Sequence, residues 1–285
     1  MQKSVDSSNY IHTIHNELLE IMDEIDRVCT EHNLRYYLIG GSLLGAIRHN
    51  GFIPWDDDLD IAMPRKDYQR FIDIAPKELH EPYKLMWTST DKKYWKLFAK
   101  VENANTVFQE AGMINDKELH GIFVDIFPLD ETDGLDSKVR KRKTIIKKLG
   151  VMMSYKTRPW QASMLKRIIV KPFPIVFLSK MANRIMFWPC KTGQYYSNFG
   201  SRRTIDKQTI PKEFFANGVP HSFEDRQYNV PSNADSVLNH IFGSSYMDIP
   251  PKEKQRGHYP IYVQFSDGQE VRFPLPEKEL SIEDE

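Results

Sequence analysis

At 285 residues, 40% hydrophobic, 12% aromatic and 27% charged, the chain has the make-up of a soluble globular protein, with room for one large domain or two modest ones. Its two cysteines, Cys29 and Cys190, are far apart and lack a CxxC or CxxH partner, which excludes a disulfide framework or a structural zinc site. The start, MQKSVDSSNY, has no apolar core of the kind a secretory signal needs, so a reducing cytoplasm is the expected compartment. Lys plus Arg and Asp plus Glu each total 39, yet the charge is unevenly spread. Between Asp136 and Asp206 there are 17 Lys and Arg and no acid, leaving 22 basic against 39 acidic residues elsewhere. Such a split points to an anionic surface or ligand on one side.

From Tyr10 to His32 apolar residues recur at three- and four-residue steps, which predicts an amphipathic helix. YYLI, ending at Leu38-Ile39, reads as a strand running into Gly40-Gly41, where backbone can approach a ligand closely. Ser42 takes the place of a helix N-cap, with LLGAIR as the helix. LDIAM is a second strand, stopped by Pro64, and KDYQRFIDIA a helix with Tyr68, Phe71 and Ile72 turned inward. Three short strands are expected between Tyr83 and Glu110. GIFVDIFPLDETDG is a further strand, ended by Pro128 and the Asp133-Gly134 turn. Residues 138 to 206 read as helices: a basic one over KVRKRKTIIKKLGVMMSYK, then MLKRIIVKPFPIVFLSKMANRIMFW. The uncharged apolar run there, PFPIVFLS, is far short of the ~20 residues that span a bilayer. Two readings stay open for it: a helix lying in a membrane interface, or a subdomain whose lysine stems cover the core. VPHSFEDRQYNVP and IYVQFSDGQEVRF are hairpins, the second about Asp267-Gly268, with the helix ADSVLNHIFG between them and a frayed acidic tail, EKELSIEDE, after them.

Two features carry chemistry. A helix start with free N–H groups at Gly41 and Ser42 is a ready anion site. Asp58 and Asp60 alternate along one strand, so both carboxylates leave the same face. Asp125 sits in the middle of IFVDIF with apolar residues on both faces, and a covered carboxylate is costly unless paired or ligating a metal. Asp58, Asp60 and Asp125 form the minimal set for two-metal phosphoryl transfer.

The order of strand, Gly-Gly-Ser, helix, Asp-x-Asp strand and a later strand Asp resembles polymerase-β-like nucleotidyltransferases. The longer strings GGSLLGAIRHNGFIPWDDDLDIAMPRKDYQRF and GIFVDIFPLD resemble the LicD family, which includes the fukutin-related phosphotransferases. The resemblance implies an α+β fold: a polymerase-β-like core of mixed sheet and flanking helices over 1–135, a basic helical segment over 136–206, and a loop-rich C-terminal segment over 207–285 that folds back. It implies transfer of a phospho-alcohol (phosphocholine or a polyol phosphate) from a CDP-linked donor to a sugar hydroxyl of a glycan or its lipid-linked precursor. The cofactor implied is Mg2+, in two sites, with Mn2+ as a substitute. By the same resemblance Gly41, Ser42 and Lys100 bind the donor, Asp58, Asp60 and Asp125 are catalytic and hold the metals, and Asp56 orients the cluster or the acceptor hydroxyl. Arg48, His49, Glu224 and His258 are weaker candidates for substrate contact.

Other classes remain in competition. A glycosyltransferase also uses Asp-x-Asp with a metal, although its motif normally follows a long nucleotide-binding unit. A nucleotidyltransferase would move the nucleotide itself. A membrane-associated scaffold would use only the basic block. A haloacid-dehalogenase-like phosphatase is excluded because Ala62 stands where its motif needs Thr or Val. Nucleic-acid binding is a poor reading, since the aromatics fit no recognised module.

Overall fold

The structure is a computed structural model that describes residues 10–111, 119–255, 257 and 260–274; His258 and the acidic tail EKELSIEDE lie outside these. Its elements in chain order begin with α1 (Tyr10–Glu31), β1 (Tyr37–Leu38), α2 (Gly40–His49), β2 (Leu59–Pro64), α3 (Arg65–Glu78), β3 (Tyr83–Met86), β4 (Ala99–Asn103), β5 (Val107–Glu110) and β6 (Phe123–Thr132). There follow α4 (Ser137–Thr157), α5 (Met164–Val170), α6 (Ile175–Met186), β7 (Tyr195–Ser197), β8 (Thr209–Pro211), β9 (Val219–Phe223), β10 (Arg226–Val230), α7 (Ala234–Phe242), β11 (Pro260–Gln264) and β12 (Glu270–Arg272). No helix among the described residues is long and apolar enough to cross a membrane.

A mixed seven-stranded sheet flanked by helices forms the centre, as expected from the sequence. Its order is β1-β2-β6-β4-β3, and β7 and β8 extend it from the C-terminal end of β6. β2 and β6 run parallel, while β6 pairs antiparallel with β4 through Ile126 and with β7 from Asp130. Strand alternation puts Ile61, Met63, Val124, Ile126 and Val101, all fully buried, on one face. α1 and α3 cover that face, and Glu17 of α1 accepts from Asn103 Nδ2 at 2.9 Å. Along α1 the predicted stripe holds, with Ile14, Leu18, Ile21, Met22 and Ile25 buried. The opposite face carries Asp60, Asp125 and Lys100.

Smaller sheets complete the molecule. β9 and β10 form the expected hairpin, and Tyr228 and Arg226 fix it to Asp23 of α1 at 2.7 and 2.9 Å. β11 and β12 pair about Asp267-Gly268, and β11 takes β5 as its other partner. Ser266, in that turn, donates its N–H to Glu17 at 3.0 Å, and the rings of Tyr10 and Phe273 meet at 4.6 Å. α4 and α6 bury one stripe each, Leu149 and Met153 against Leu178 and Ala182. Arg142 of α4 donates to the last carbonyls of α6, Ile185 at 3.1 Å and Met186, where a cation also complements the helix dipole.

Three expectations are corrected. α2 begins at Gly40 with Ile39 as its N-cap, so Ser42 lies inside the first turn, and its hydroxyl is taken by the N–H of Asp60 rather than by a helix N–H. β6 does not end at Pro128 but runs to Thr132. Pro128 stays in register with Met63 of β2, and on its other side it falls in the gap between pairing with β4, which ends at Ile126, and pairing with β7, which starts at Asp130. Of the three strands expected over Tyr83–Glu110, β5 leaves the main sheet for β11, and residues 87–98 are loop.

A buried ion pair ties the core. Arg65 donates from Nε and Nη2 to the two oxygens of Asp130, both at 2.7 Å, and from Nη1 to Asn183 of α6 at 3.3 Å. Arg65→Met leaves Asp130 as an uncompensated buried charge, so urea unfolding should show a loss of about 3–5 kcal/mol. The double replacement Arg65→Met with Asp130→Leu should recover most of it, because no charge is then stranded.

Candidate active site

Asp60 of β2 stands directly opposite Asp125 of β6, and Lys100 of β4 stands opposite Asp125 from the other side. Register partners share a face, so three charged side chains line up across neighbouring strands spaced about 4.8 Å apart. Lys100 Nζ lies 2.6 Å from Asp125 Oδ1, with side chains only 8% and 13% exposed. The contact is not aligned as a hydrogen bond, and both atoms are buried with no hydrogen-bond partner. Charge alone holds them, helped by the Phe123 ring, whose centroid is 3.0 Å from the ammonium. The covered carboxylate inferred from IFVDIF is therefore real, and its immediate counter-charge is a lysine.

The start of α2 meets this row from β1. Ile39 donates its N–H to the Asp60 carbonyl at 3.1 Å, and Asp60 donates its own N–H to Ser42 Oγ at 2.8 Å. Gly40 turns at φ +59°, which only glycine adopts cheaply, and Gly41 admits Asp56: a Cβ there would sit 2.7 Å from Asp56 Oδ2. An acidic group at a helix start is favoured by the first N–H groups and the dipole. Asp56 thus shares the anion site assigned to Gly41 and Ser42. The Ser42 hydroxyl accepts from Asp60 and still has its own proton to donate.

Around the WDDDLD box, several ties were not foreseen from sequence. His15 of α1 bonds the Asp56 carbonyl through Nε2 at 2.7 Å and stacks on Phe52 at 4.0 Å. Burial lowers its pKa, against the pull of the Asp56 carbonyl. Glu224, in the turn of the β9–β10 hairpin, accepts the N–H of Phe52 at 3.0 Å and crowds Gly51, so it braces the loop ahead of the box. Gly257 lies against Asp57, where a Cβ would meet the carboxylate at 2.8 Å. Gly257 and Pro260 therefore lie at the acidic box, and His258 between them is outside the described residues. Arg48 is occupied elsewhere, donating to the carbonyls of Tyr246 and Asp248 at 3.1 and 3.0 Å, and His49 packs edge-on to Trp55. Thr106 is structural: it donates to the Asn103 carbonyl at 2.7 Å and accepts from Ile122 N–H at 2.8 Å.

A cavity of about 400 Å³ opens beside Lys100, walled by Trp95, Trp160, Phe123, Lys96, Arg158 and their neighbours. Burial, then the nearby Lys100 charge, pushes the Lys96 ammonium down to about 7. On the other flank Asp60 and Arg203 line a small cavity together, with Arg203 within electrostatic reach of Asp60. Lys96 and Arg203 give no sequence signal, because both are basic residues in loops, Lys96 alone and Arg203 beside Arg202.

The donor set suits a divalent cation in kind. Asp60 and Asp125 are neighbours of one charge, and an Asp125 oxygen is buried without a hydrogen bond. Asp58 lies just ahead of β2, which starts at Leu59, so of the two alternating aspartates expected on this strand only Asp60 is on it. Among the described residues, however, the donors that already converge within 4.8 Å are Glu31, His32 and Glu78 at the far end of α1, not the three aspartates.

Residues 33–166 match the family described as LicD/FKTN/FKRP, nucleotidyltransferase domain. The lipopolysaccharide cholinephosphotransferase LicD of Haemophilus influenzae is 32% identical over 254 residues, spanning 85% of this chain and 92% of that protein. The human ribitol 5-phosphate transferase FKRP is 56% identical over 34 residues, 12% of this chain and 7% of its own length.

Two measurements test the geometry. Lys100→Met and Asp125→Asn should each lower the thermal midpoint, since each strands one buried charge or dipole, and the double variant should lose less than the two losses combined. Gly41→Ala pushes Asp56 off the helix start, and turnover should fall by roughly tenfold or more, about 1.4 kcal/mol in the barrier, with the thermal midpoint nearly unchanged.

Proposed function

The chain belongs to the LicD family of phosphotransferases, and from that premise we propose that it moves a phospho-alcohol, phosphocholine or a polyol phosphate, from a CDP-linked donor to a sugar hydroxyl. The acceptor in this reading is a surface glycan or its lipid-linked precursor, met in the cytoplasm. The relatives' activities support the reaction type: one transfers cholinephosphate to lipopolysaccharide, the other ribitol 5-phosphate. The observation that carries the reading is the row Asp60–Asp125–Lys100, in register across three strands and adjoining the glycine-lined start of α2. It is also what supports kinship with the polymerase-β-like nucleotidyltransferase core.

Asp58, Asp60 and Asp125 would hold the magnesium ions, which supply charge neutralisation for the diphosphate and acidify the acceptor hydroxyl when bound. The chain's own groups do the rest. N–H groups at Gly41 and Ser42, with the Ser42 hydroxyl, orient the diphosphate, and Lys100 and Arg203 offset its charge from either side. A carboxylate of the row accepts the hydroxyl proton as the acceptor oxygen bonds to the phosphorus bearing the alcohol. The bridging P–O bond breaks, and cytidine monophosphate leaves. Positioning and charge neutralisation carry such a reaction without a covalent nucleophile.

The runner-up is nucleotide transfer, favoured by the family domain's description as a nucleotidyltransferase. The products separate the two. With the cytosine ring labelled, the label should appear in free cytidine monophosphate; labelled acceptor would overturn phospho-alcohol transfer. Asp60→Asn should reduce turnover by at least roughly a thousandfold, about 4 kcal/mol in the barrier, and full activity would remove Asp60 from the site. A thermal shift with magnesium and a panel of CDP-linked alcohols reads binding directly, since a ligand held only by the folded state raises its midpoint.

A further inference from the structure

The helices that follow β6 present an apolar surface that is open to water among the described residues. Along α5, Met164, Leu165, Ile168 and Ile169 are 79%, 67%, 57% and 55% exposed, at spacings that place them on one stripe. Four apolar side chains of seven residues lie open to water, with Val170 the one buried residue of the helix. Phe173 and Phe177, stacked 6.4 Å apart, and then Phe187 and Trp188, add exposed aromatic surface at either end of α6. Lys166, Arg167, Lys171, Lys180 and Arg184 are exposed among them, and no acid occurs between Asp136 and Asp206. The inner stripe of α6 is already used, since Ile175, Leu178 and Ala182 pack on α4. The outer stripe is thus unneeded for folding.

Single exposed apolar residues are ordinary, but a contiguous set ringed by one sign of charge calls for a partner. We propose that α5 and the outer side of α6 form a docking face for an anionic lipid bilayer, lying in the plane of the interface. Leucine, isoleucine, methionine and phenylalanine enter the acyl boundary, Trp188 and Trp160 sit at the headgroups, and the lysines and arginines meet lipid phosphates. The unbroken positive charge selects an anionic surface, because a protein partner of mixed charge would not require an acid-free segment of this length. The geometry also links docking to the reaction. Lys156 in the last turn of α4, and Arg158 and Trp160 between α4 and α5, line the cavity that opens beside Lys100. A bilayer under α5 would hold a lipid-borne acceptor at the mouth of that cavity.

The test is sedimentation of the intact chain with phosphatidylcholine vesicles, with and without phosphatidylglycerol, in the absence of donor. The bound fraction should rise with phosphatidylglycerol and fall with salt. Leu165→Glu with Ile168→Glu should lower partitioning by roughly tenfold or more, and Lys166→Gln with Arg167→Gln should lower the preference for phosphatidylglycerol to a similar degree. Both pairs are exposed, so the thermal midpoint and the rate at which cytidine monophosphate is released in the presence of a soluble acceptor should not change. Equal partitioning onto both vesicles, or none, would overturn the proposal. So would a dimer in light scattering that Ile168→Glu dissociates, since a second copy would then be the occupant. Vesicle binding is read without turnover, so its failure is distinct from failure of the transfer reaction.

Discussion

The parallel pairing of β2 with β6 is the constraint on which the site depends. A slip of one residue would send Asp60 to the face under α1 and α3 and bring Ile61 out in its place. The register is held at both ends. Ile39 and Ser42 clasp the backbone of Asp60, and Arg65, directly after β2, grips Asp130 of β6. Between these clamps Asp60 and Asp125 have no freedom to separate, although like charges at that distance repel. The repulsion is contained by Lys100, delivered by β4 at the same register position. The charged row is therefore built by the sheet, not by a loop.

Helix α1 lies on the far side of the sheet yet reaches nearly every other part. His15 holds the carbonyl of Asp56, Glu17 joins β4 to the C-terminal hairpin, and Asp23 receives Tyr228 and Arg226. These polar groups sit along the margins of its apolar stripe. A helix that reads as plain packing in the sequence is thus also the tie between the loops that shape the site, which periodicity alone does not reveal.

Much was legible in the sequence because local rules applied. The period of α1, the alternation along LDIAM and the turn at Asp267-Gly268 each depend on a few adjacent residues. Asp125 was readable because a charge amid IFVDIF has few affordable explanations. What escaped were relations between distant segments. Nothing near Ser42 says that its hydroxyl would be claimed by a strand N–H rather than a helix N–H. Nothing near Pro128 says that β6 would change partners there and so accept it. Lys96 and Arg203 acquire meaning only when folding brings them beside Lys100 and Asp60.

The acidic box is enclosed by the first and last described parts of the chain. Tyr10 and Ile11 share a cleft with Trp55, Asp57, Gly257 and Pro260, and Glu17 bonds Ser266 across 249 residues. On the ribosome, the box is therefore made early and finished late: its floor exists once β2 is synthesised, but its wall waits for the final hairpin. A chain cut short within α7 would retain every aspartate of the box and of the row and still leave the box open to water. Enclosure of the box thus asks for the C-terminal hairpin as well as for the carboxylates.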